Sequence, residues 1–255
     1  MYAEERQQAI ARLVTLRGRM SVNQLAREYD VTTETVRRDL SALERLGLVR
    51  RVHGGVVPPS SLSLIEGGLR ERDQVNTERK ERIARAAIDL LPPPGGSILL
   101  DAGTTTSRLA GLLPPEQELT VVTHAVPIAA RLAGQNQVDL RLLPGRVRRA
   151  SKAAVGADTV EALSHLRVDV SFLGTNGVTT EHGLTTPDPD EAAVKRALIA
   201  SGRRVVALAD ASKLGVETAV RFAAPGEVDV LVTDADIASA DRRALAKAGV
   251  EVVVA

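Results

Sequence analysis

The stretch from Val31 to Val57, VTTETVRRDLSALERLGLVRRVHGGVV, leaves a chain little conformational choice. Thr32 or Thr33 can cap a helix that runs to about Leu46, and Val36, Leu40, Leu43 and Leu46 recur along it at spacings of four and three. That face is expected in a core. The other face carries Thr33, Thr35, Arg37 and Arg38 near its N-terminal half. Gly47 supplies the left-handed residue that ends a helix, and LVRRVHGGVV follows as two β-prone runs turned at His53-Gly54-Gly55.

Taken alone, an arginine-bearing amphipathic helix is an ordinary solvated surface helix. Its surroundings argue otherwise. Ser21-Val22-Asn23-Gln24 has the capping-box pattern and opens a short helix through Tyr29, with Val22, Leu25 and Ala26 inward. Glu4 to Arg17 places Ile10, Leu13 and Val14 at helical spacing before Gly18 closes it. Three helices and a hairpin, with Tyr29-Asp30-Val31 as the tight turn before the third helix, make a winged helix-turn-helix. In that architecture Thr33, Thr35, Arg37 and Arg38 face the major groove, and Arg50, Arg51 and His53 touch the DNA backbone from the wing. Arg6, Ile10 and Val14, then Thr32, Thr35, Val36, Arg37, Arg38, Asp39 and Leu40, and the run GLVRRVHGG resemble the DeoR family of bacterial transcriptional regulators. Val56 stands where Ala is common in that family.

A net charge of +1 would argue against a nucleic-acid partner if it were evenly spread. It is not: residues 1–57 hold ten Lys/Arg against seven Asp/Glu, and the remainder 23 against 25. The excess is modest, so affinity for DNA should lean on well-placed arginines and on dimerisation. No cysteine occurs, which excludes disulfides and thiolate metal sites and fits a reducing cytoplasm. The polar start, EERQQ, and the lack of an apolar run near 18 residues give no signal peptide and no membrane span.

Val57-Pro58-Pro59-Ser60-Ser61-Leu62-Ser63 reads as a linker. A helix from about Thr77 to Leu91 follows, with Ile83, Ala87 and Leu90 as its apolar stripe and Glu78, Lys80 and Arg82 on a solvated face. Family members carry an Arg near position 72 and a Lys near position 80 in the corresponding segment. Short apolar runs then alternate with helices, predicting strands at residues 97–100, 119–123, 138–143, 168–173, 204–209, 228–233 and 250–254 and hence a parallel sheet. Ligands of open α/β sheets sit beyond the carboxyl ends of the strands, and these ends carry Gly, hydroxyls, Asn, Lys and Asp.

Three segments carry the chemistry. ILLDAGTTTSRLAGLL reads as strand, glycine turn and helix, where backbone N–H groups with Thr104, Thr105 and Thr106 form a neutral cradle for phosphate. Neither GxxxxGK[ST] nor GxGxxG occurs, so nucleotide cofactors are poorly supported. Lys213 and Arg146, on the same rim, pair the cradle with positive charge. In the second segment, Thr186 to Lys195, Glu191 and Lys195 are four apart and form either an ordinary helix pair or a grip for hydroxyls and phosphate beside a Gly183–Thr186 loop. The third, Ala209 to Gly215, is a polar turn.

Asp101 to Thr106, Phe172 to Gly177, Glu191 to Lys195 and Asp210 to Lys213 together resemble the sensor domain of the DeoR family over residues 75–255. The resemblance implies a sugar-phosphate effector bound by Asp101, Gly103, Thr104, Thr105, Thr106, Asn176, Glu191, Lys195, Asp210 and Lys213. The phosphate would lie on the cradle against Lys213, with Glu191, Lys195 and Asp210 reading hydroxyls. Leu214 stands where the family has an aromatic residue, and His124 where Asn is frequent.

The expected fold is α/β: an N-terminal winged helix-turn-helix over residues 1–57, a linker over 58–75, and over 76–255 a mostly parallel α/β sensor domain similar to ribose-5-phosphate isomerase. Two function classes compete, a ligand-controlled DNA-binding repressor and a sugar-phosphate isomerase-like enzyme with an appended DNA module. Isomerisation needs a carboxylate base, for which Asp101, Glu191 and Asp210 are the candidates. None is marked as one by its spacing, and an isomerase has no use for a DNA module, so the regulator leads, with no catalytic residue and no cofactor. His53, His124, His165 and His182 lack metal-ligand spacing. The partners expected are double-stranded operator DNA, a sugar phosphate and further copies of the chain, as homodimer or homotetramer, in the cytoplasm and on the nucleoid when bound.

Overall fold

The computed structural model describes residues 2–17, 20–52, 55–57 and 68–255, which fall in two compact units, Met1–Leu62 and Ser63–Ala255. Gly18, His53, Gly54 and the Pro/Ser linker from residue 58 lie outside the described residues.

The first unit runs α1 (Ala3–Arg17), β1 (Met20–Ser21), α2 (Val22–Glu28), α3 (Thr33–Arg45), β2 (Arg50–Val52) and β3 (Gly55–Val57). The capping box forms: Gln24 N donates to Ser21 Oγ at 3.1 Å and Ser21 N to Gln24 Oε1 at 2.8 Å. Thr32 caps α3 by accepting from Thr35 N at 3.1 Å, and Asp30 takes the left-handed conformation, φ 49°, in the turn before it. Gly47, φ 66°, ends α3 as its sequence implied, with Leu48 N donating back to Leu43 O. Ile10, Val14, Leu25, Val36, Leu40 and Leu43 close one core with Met20, Val49 and Val56.

Two features of this unit differ from the sequence expectation. Leu46 is 67% exposed, because it follows the last helical residue and the apolar stripe has already left the core. Asp39 is buried, and its carboxylate accepts from Arg6 Nε at 2.6 Å and Gln7 Nε2 at 3.0 Å, riveting α1 to α3. The hydrogen bond to Asp39 raises the Arg6 pKa above its ordinary value. The wing also gains a strand, since β1 pairs antiparallel with β3 to give the order β1-β3-β2. A side chain at Gly55 would collide with the Met20 carbonyl, which is why glycine sits there.

In the second unit α4 (Leu69–Gln74) and α5 (Thr77–Ile88) lead to β4 (Ser97–Leu100), α6 (Thr104–Gly111), β5 (Leu119–Thr123), α7 (Val126–Leu132) and β6 (Val138–Leu142). A hairpin of β7 (Arg146–Arg148) and β8 (Ala153–Val155), then α8 (Ala157–Ser164), precede β9 (Val168–Gly174). After β10 (Gly177–Thr179) and β11 (Gly183–Thr186) come α9 (Pro189–Ser201), β12 (Gly202–Leu208) and β13 (Val220–Ala223). The unit ends with β14 (Val230–Thr233), α10 (Ser239–Lys247) and β15 (Glu251–Val254).

The seven strands expected from the sequence form one sheet, order β15-β14-β12-β9-β4-β5-β6, with every pairing parallel. Alternation along each strand feeds two cores. Ile98, Leu100, Val170 and Phe172 face Ile83 of α5, Leu109 of α6 and Ile128 of α7, while Leu99 and Leu173 face Leu163 of α8, Leu198 of α9 and Leu245 of α10. Strand order reverses between β4 and β9, so the crevice where open sheets take ligands lies beyond Leu100 and Gly174. The Gly183–Thr186 segment is not the loop expected. It is the middle strand of an antiparallel sheet, β10-β11-β13, with all four of its residues buried.

Candidate effector site and candidate DNA interface

At the reversal of strand order the chain leaves β4, turns through Asp101-Ala102-Gly103 and enters α6. Gly103, in extended conformation, offers α6 no side-chain cap, and the Thr106 hydroxyl donates to the Gly103 carbonyl at 3.1 Å. The first-turn N–H groups of Thr104, Thr105 and Thr106 thus have no side-chain cap. Beside this turn lies a cavity of about 50 Å³, whose lining includes Gly103, Thr104, Thr105, Thr106, Asn176, Glu191, Lys195, Asp210 and Lys213. Every residue expected from the sequence is there except Asp101.

Asp101 lies beneath the floor, fully buried. Its carboxylate forms an ion pair with Lys195 Nζ, accepts from Gly174 N at 2.8 Å and lies 3.0 Å from His124 Nε2. Burial alone would raise its pKa, but Lys195 and His124 prevail and lower it to about 2. Lys195 Nζ also donates to Gly174 O at 2.9 Å and stands 5.2 Å from the centre of the Phe222 ring. Glu191 therefore finds other partners: it accepts from Arg148 Nη1 at 3.0 Å and from the Thr186 hydroxyl at 3.2 Å. The helix pair weighed for Glu191 and Lys195 does not form, because the floor claims the ammonium. Asp210 accepts from Asn76 Nδ2 at 3.0 Å and from the Ser212 N–H at 3.2 Å, tying the polar turn to the start of α5.

Two further expectations are corrected. Lys80 is buried rather than solvated: it lines the cavity with Arg72 and donates to the carbonyls of Arg72 and Val75. Burial lowers its pKa to about 8. The signal was available, since Lys80, Ile83, Ala84 and Ala87 follow the i, i+3, i+4, i+7 spacing of one face and all are buried. Arg146 does not reach the rim; it is exposed and pairs with Asp190 at 2.6 Å. His124 and Leu214 do not line the cavity either. His124 is buried with Nδ1 2.8 Å from the Ala154 carbonyl, and Leu214 packs against the core.

The isomerase alternative requires a carboxylate free to take a proton from carbon. Asp101 is out of the cavity and held as an anion of very low basicity, and Glu191 and Asp210 are occupied as described. None of the three is placed as a base.

In the first unit Arg37 and Arg38 project from α3 to solvent, each 3.6 Å from Glu34. Thr33 is half-buried, and the Thr35 hydroxyl lies 2.9 Å from that of Thr32. On the wing Arg50 and Arg51 point to opposite faces, as successive strand residues must. Arg50 is half-buried, and burial lowers its pKa. Arg51 folds back on α3 instead, its Nη1 donating to Ser41 Oγ at 3.0 Å and its N–H to Glu44 Oε1 at 2.9 Å. Among the described residues no helix is long and apolar enough to cross a membrane.

A winged helix-turn-helix unit and a doubly wound unit with an uncapped helix start beside a polar cavity at its strand reversal define a class, that of DNA-binding regulators carrying a small-molecule sensor. The chain belongs to the DeoR family of transcriptional regulators: the DeoR-like helix-turn-helix domain matches residues 6–61 and the DeoR C terminal sensor domain matches residues 75–235. It is similar to the HTH-type transcriptional regulator GlpR of Haloferax volcanii, 36% identical over 99% of this chain and 98% of that one. It is likewise similar to the glycerol-3-phosphate regulon repressor of Escherichia coli, 32% identical over 92% of each. Among solved structures, ribose 5-phosphate isomerase A from Methanocaldococcus jannaschii overlaps 55% of each chain at 19% identity and a TM-score of 0.41.

Proposed function

We propose that this regulator is a repressor that holds operator DNA and releases it when a phosphorylated sugar occupies the sensor. The observation that carries this reading is the uncapped start of α6 facing a small cavity bordered by Lys80 and Lys213. Aligned N–H groups at a helix N-terminus together with cations recognise phosphate. In this reading Gly103, Thr104, Thr105 and Thr106 hold the phosphate, Lys213 and Lys80 supply counter-charge, and Asn176, Glu191, Lys195 and Asp210 border the hydroxyls nearest the ester. Asp101 acts from below by fixing Lys195. Similarity to a glycerol-3-phosphate regulon repressor supports a phosphorylated polyol or sugar.

On the DNA side, Thr33, Thr35, Arg37 and Arg38 enter the major groove, with Arg50, Arg51 and His53 along the backbone. One winged helix reads few base pairs, so two copies of the chain read two half-sites. The DNA-binding domain ends at residue 57 and the sensor begins at 76. The test measures operator affinity with and without sugar phosphates in the parent, Thr105→Ala and Lys213→Ala. Both variants should bind DNA as the parent does and respond only at much higher ligand concentration. Parent-like responses in both would remove the cradle from the effector site.

A further inference from the structure

The cavity over the cradle is small beside its neighbour. At about 50 Å³ it holds a few waters' worth of matter, since one water needs roughly 10–15 Å³ by the same measure. That suits a phosphate group and the hydroxyls nearest it. Immediately beside it lies a larger compartment of about 420 Å³ between α4, α6 and α7, and Gly103, Thr104 and Ser151 border both spaces.

Ser151 sits at this junction in the turn between β7 and β8. It is 4% exposed, and its buried hydroxyl has no hydrogen-bond partner among the described residues. A hydroxyl withdrawn from water and left unpaired is destabilising, so one placed where two cavities meet is poised for a group that arrives with the ligand. The compartment beyond combines an apolar wall, Leu112 and Ile128, with Arg131. Its acids are already answered: Arg108 pairs with Asp73 and lies 3.6 Å from Glu81. Arg131, by contrast, is exposed and makes no ion pair or hydrogen bond among the described residues. The volume is that of a small-molecule pocket, typically about 300–1,000 Å³, and exceeds what a three-carbon chain fills.

We infer that the effector is a six-carbon phosphate ester whose phosphate fills the small cavity and whose carbon chain runs past Ser151 into the larger compartment, where Ser151 Oγ and Arg131 meet its hydroxyls. This rests on the phosphate cradle proposed above. It assigns to the β7–β8 turn and to α7 the selection of ligand length, a role that none of the sequence motifs suggested.

The test titrates the full chain calorimetrically with inorganic phosphate, glycerol 3-phosphate and three six-carbon esters: fructose 1-phosphate, glucose 6-phosphate and sorbitol 6-phosphate. At least one six-carbon ester should bind about tenfold tighter than glycerol 3-phosphate. One hydrogen bond is worth about 2- to 12-fold in affinity, so Ser151→Ala and Arg131→Ala should each remove several-fold of that advantage. Both variants should leave inorganic phosphate and glycerol 3-phosphate within about twofold of the parent. Ser151→Ala deletes an unpaired hydroxyl and Arg131→Ala an exposed side chain, so the fold is retained in both. If glycerol 3-phosphate binds as tightly as every six-carbon ester, or if neither variant reduces the advantage, the compartment is not the ligand's and the inference fails while the cradle stands. If no phosphate compound binds, the cradle fails and the inference with it.

Discussion

Effector binding should be coupled to proton uptake at Lys80, and the coupling can be worked out from its surroundings. Burial lowers this ammonium from 10.5 to about 8; Lys213 and Arg108 add to the effect, and Asp210 and Asp73 oppose it. A phosphate dianion on the cradle restores the charge partner that burial removed, so in the complex the pKa returns toward 10.5. At pH 7 roughly nine-tenths of the ligand-free protein already carries the proton, and binding should take up about 0.1 proton; at pH 9 it should take up about 0.9. Affinity should accordingly fall by up to about tenfold per pH unit above pH 8. The ester's own second proton, with a pKa near 6, is gone above pH 8, so the count is cleanest at pH 9. Calorimetry in buffers of different ionisation enthalpy counts the protons directly, and Lys80→Met should bind more weakly at pH 7 and lose the slope. Without ligand the sign reverses. Between pH 8 and 10.5 the unfolded chain keeps a proton that the folded chain releases, so ligand-free stability should rise with pH across that window. Proton uptake indistinguishable from zero at pH 9, or a parental slope in Lys80→Met, would refute the placement of Lys80 against the phosphate.

Asp101→Asn should lower stability by about 3–5 kcal/mol, seen as a fall in Tm, because it strands the buried Lys195 charge. The Asp101 pKa of about 2 lies below its ordinary 3.8, so its contribution is complete above pH 3.8 and lost as pH falls through 2, and the variant should lose that part of the acid dependence. Asp39→Ala should cost roughly 2–3 kcal/mol in urea unfolding by leaving Arg6 and Gln7 without their acceptor. Arg37→Ala and Arg38→Ala should each weaken operator binding in gel shift by roughly 1–3 kcal/mol if they read bases, and unchanged affinity in both would reject the groove assignment. Light scattering at micromolar concentration should give twice the chain mass or a multiple of it; a monomer with full operator affinity would contradict the two-half-site reading.

The apolar periodicity made the large elements legible. Caps at Ser21 and Thr32, the stop at Gly47 and the seven strands of the parallel sheet all follow from local pattern, and the strand ends pointed to the cavity because chemistry in open sheets gathers there. What stayed hidden depends on contacts distant in sequence. β7, β8, β10, β11 and β13 are three or four residues long and pair in small antiparallel sheets outside the βα alternation that marked the parallel strands. Asp101 and Lys195 were both picked out, but nothing local could say that they pair with each other across 94 positions and leave Glu191 to Arg148. Lys80 was the avoidable miss: a lysine on a buried stripe is a question about function, and charge composition alone answered it wrongly. Ser151 carries no motif at all. Its significance lies in a missing partner, which only three-dimensional packing reveals.

The two halves of the sheet are joined along a single seam, where Ile98, Leu100 and their neighbours in β4 pair with Val170 and Phe172 in β9. Lys195 works as a staple across it, gripping the carboxylate that follows β4 and, at 2.9 Å, the carbonyl that ends β9. A crevice that thermal motion could otherwise widen is held at one span by a bond drawn below its floor. Substitutions along the walls can then alter what the crevice accommodates while the spacing between the ends of β4 and β9 stays the same.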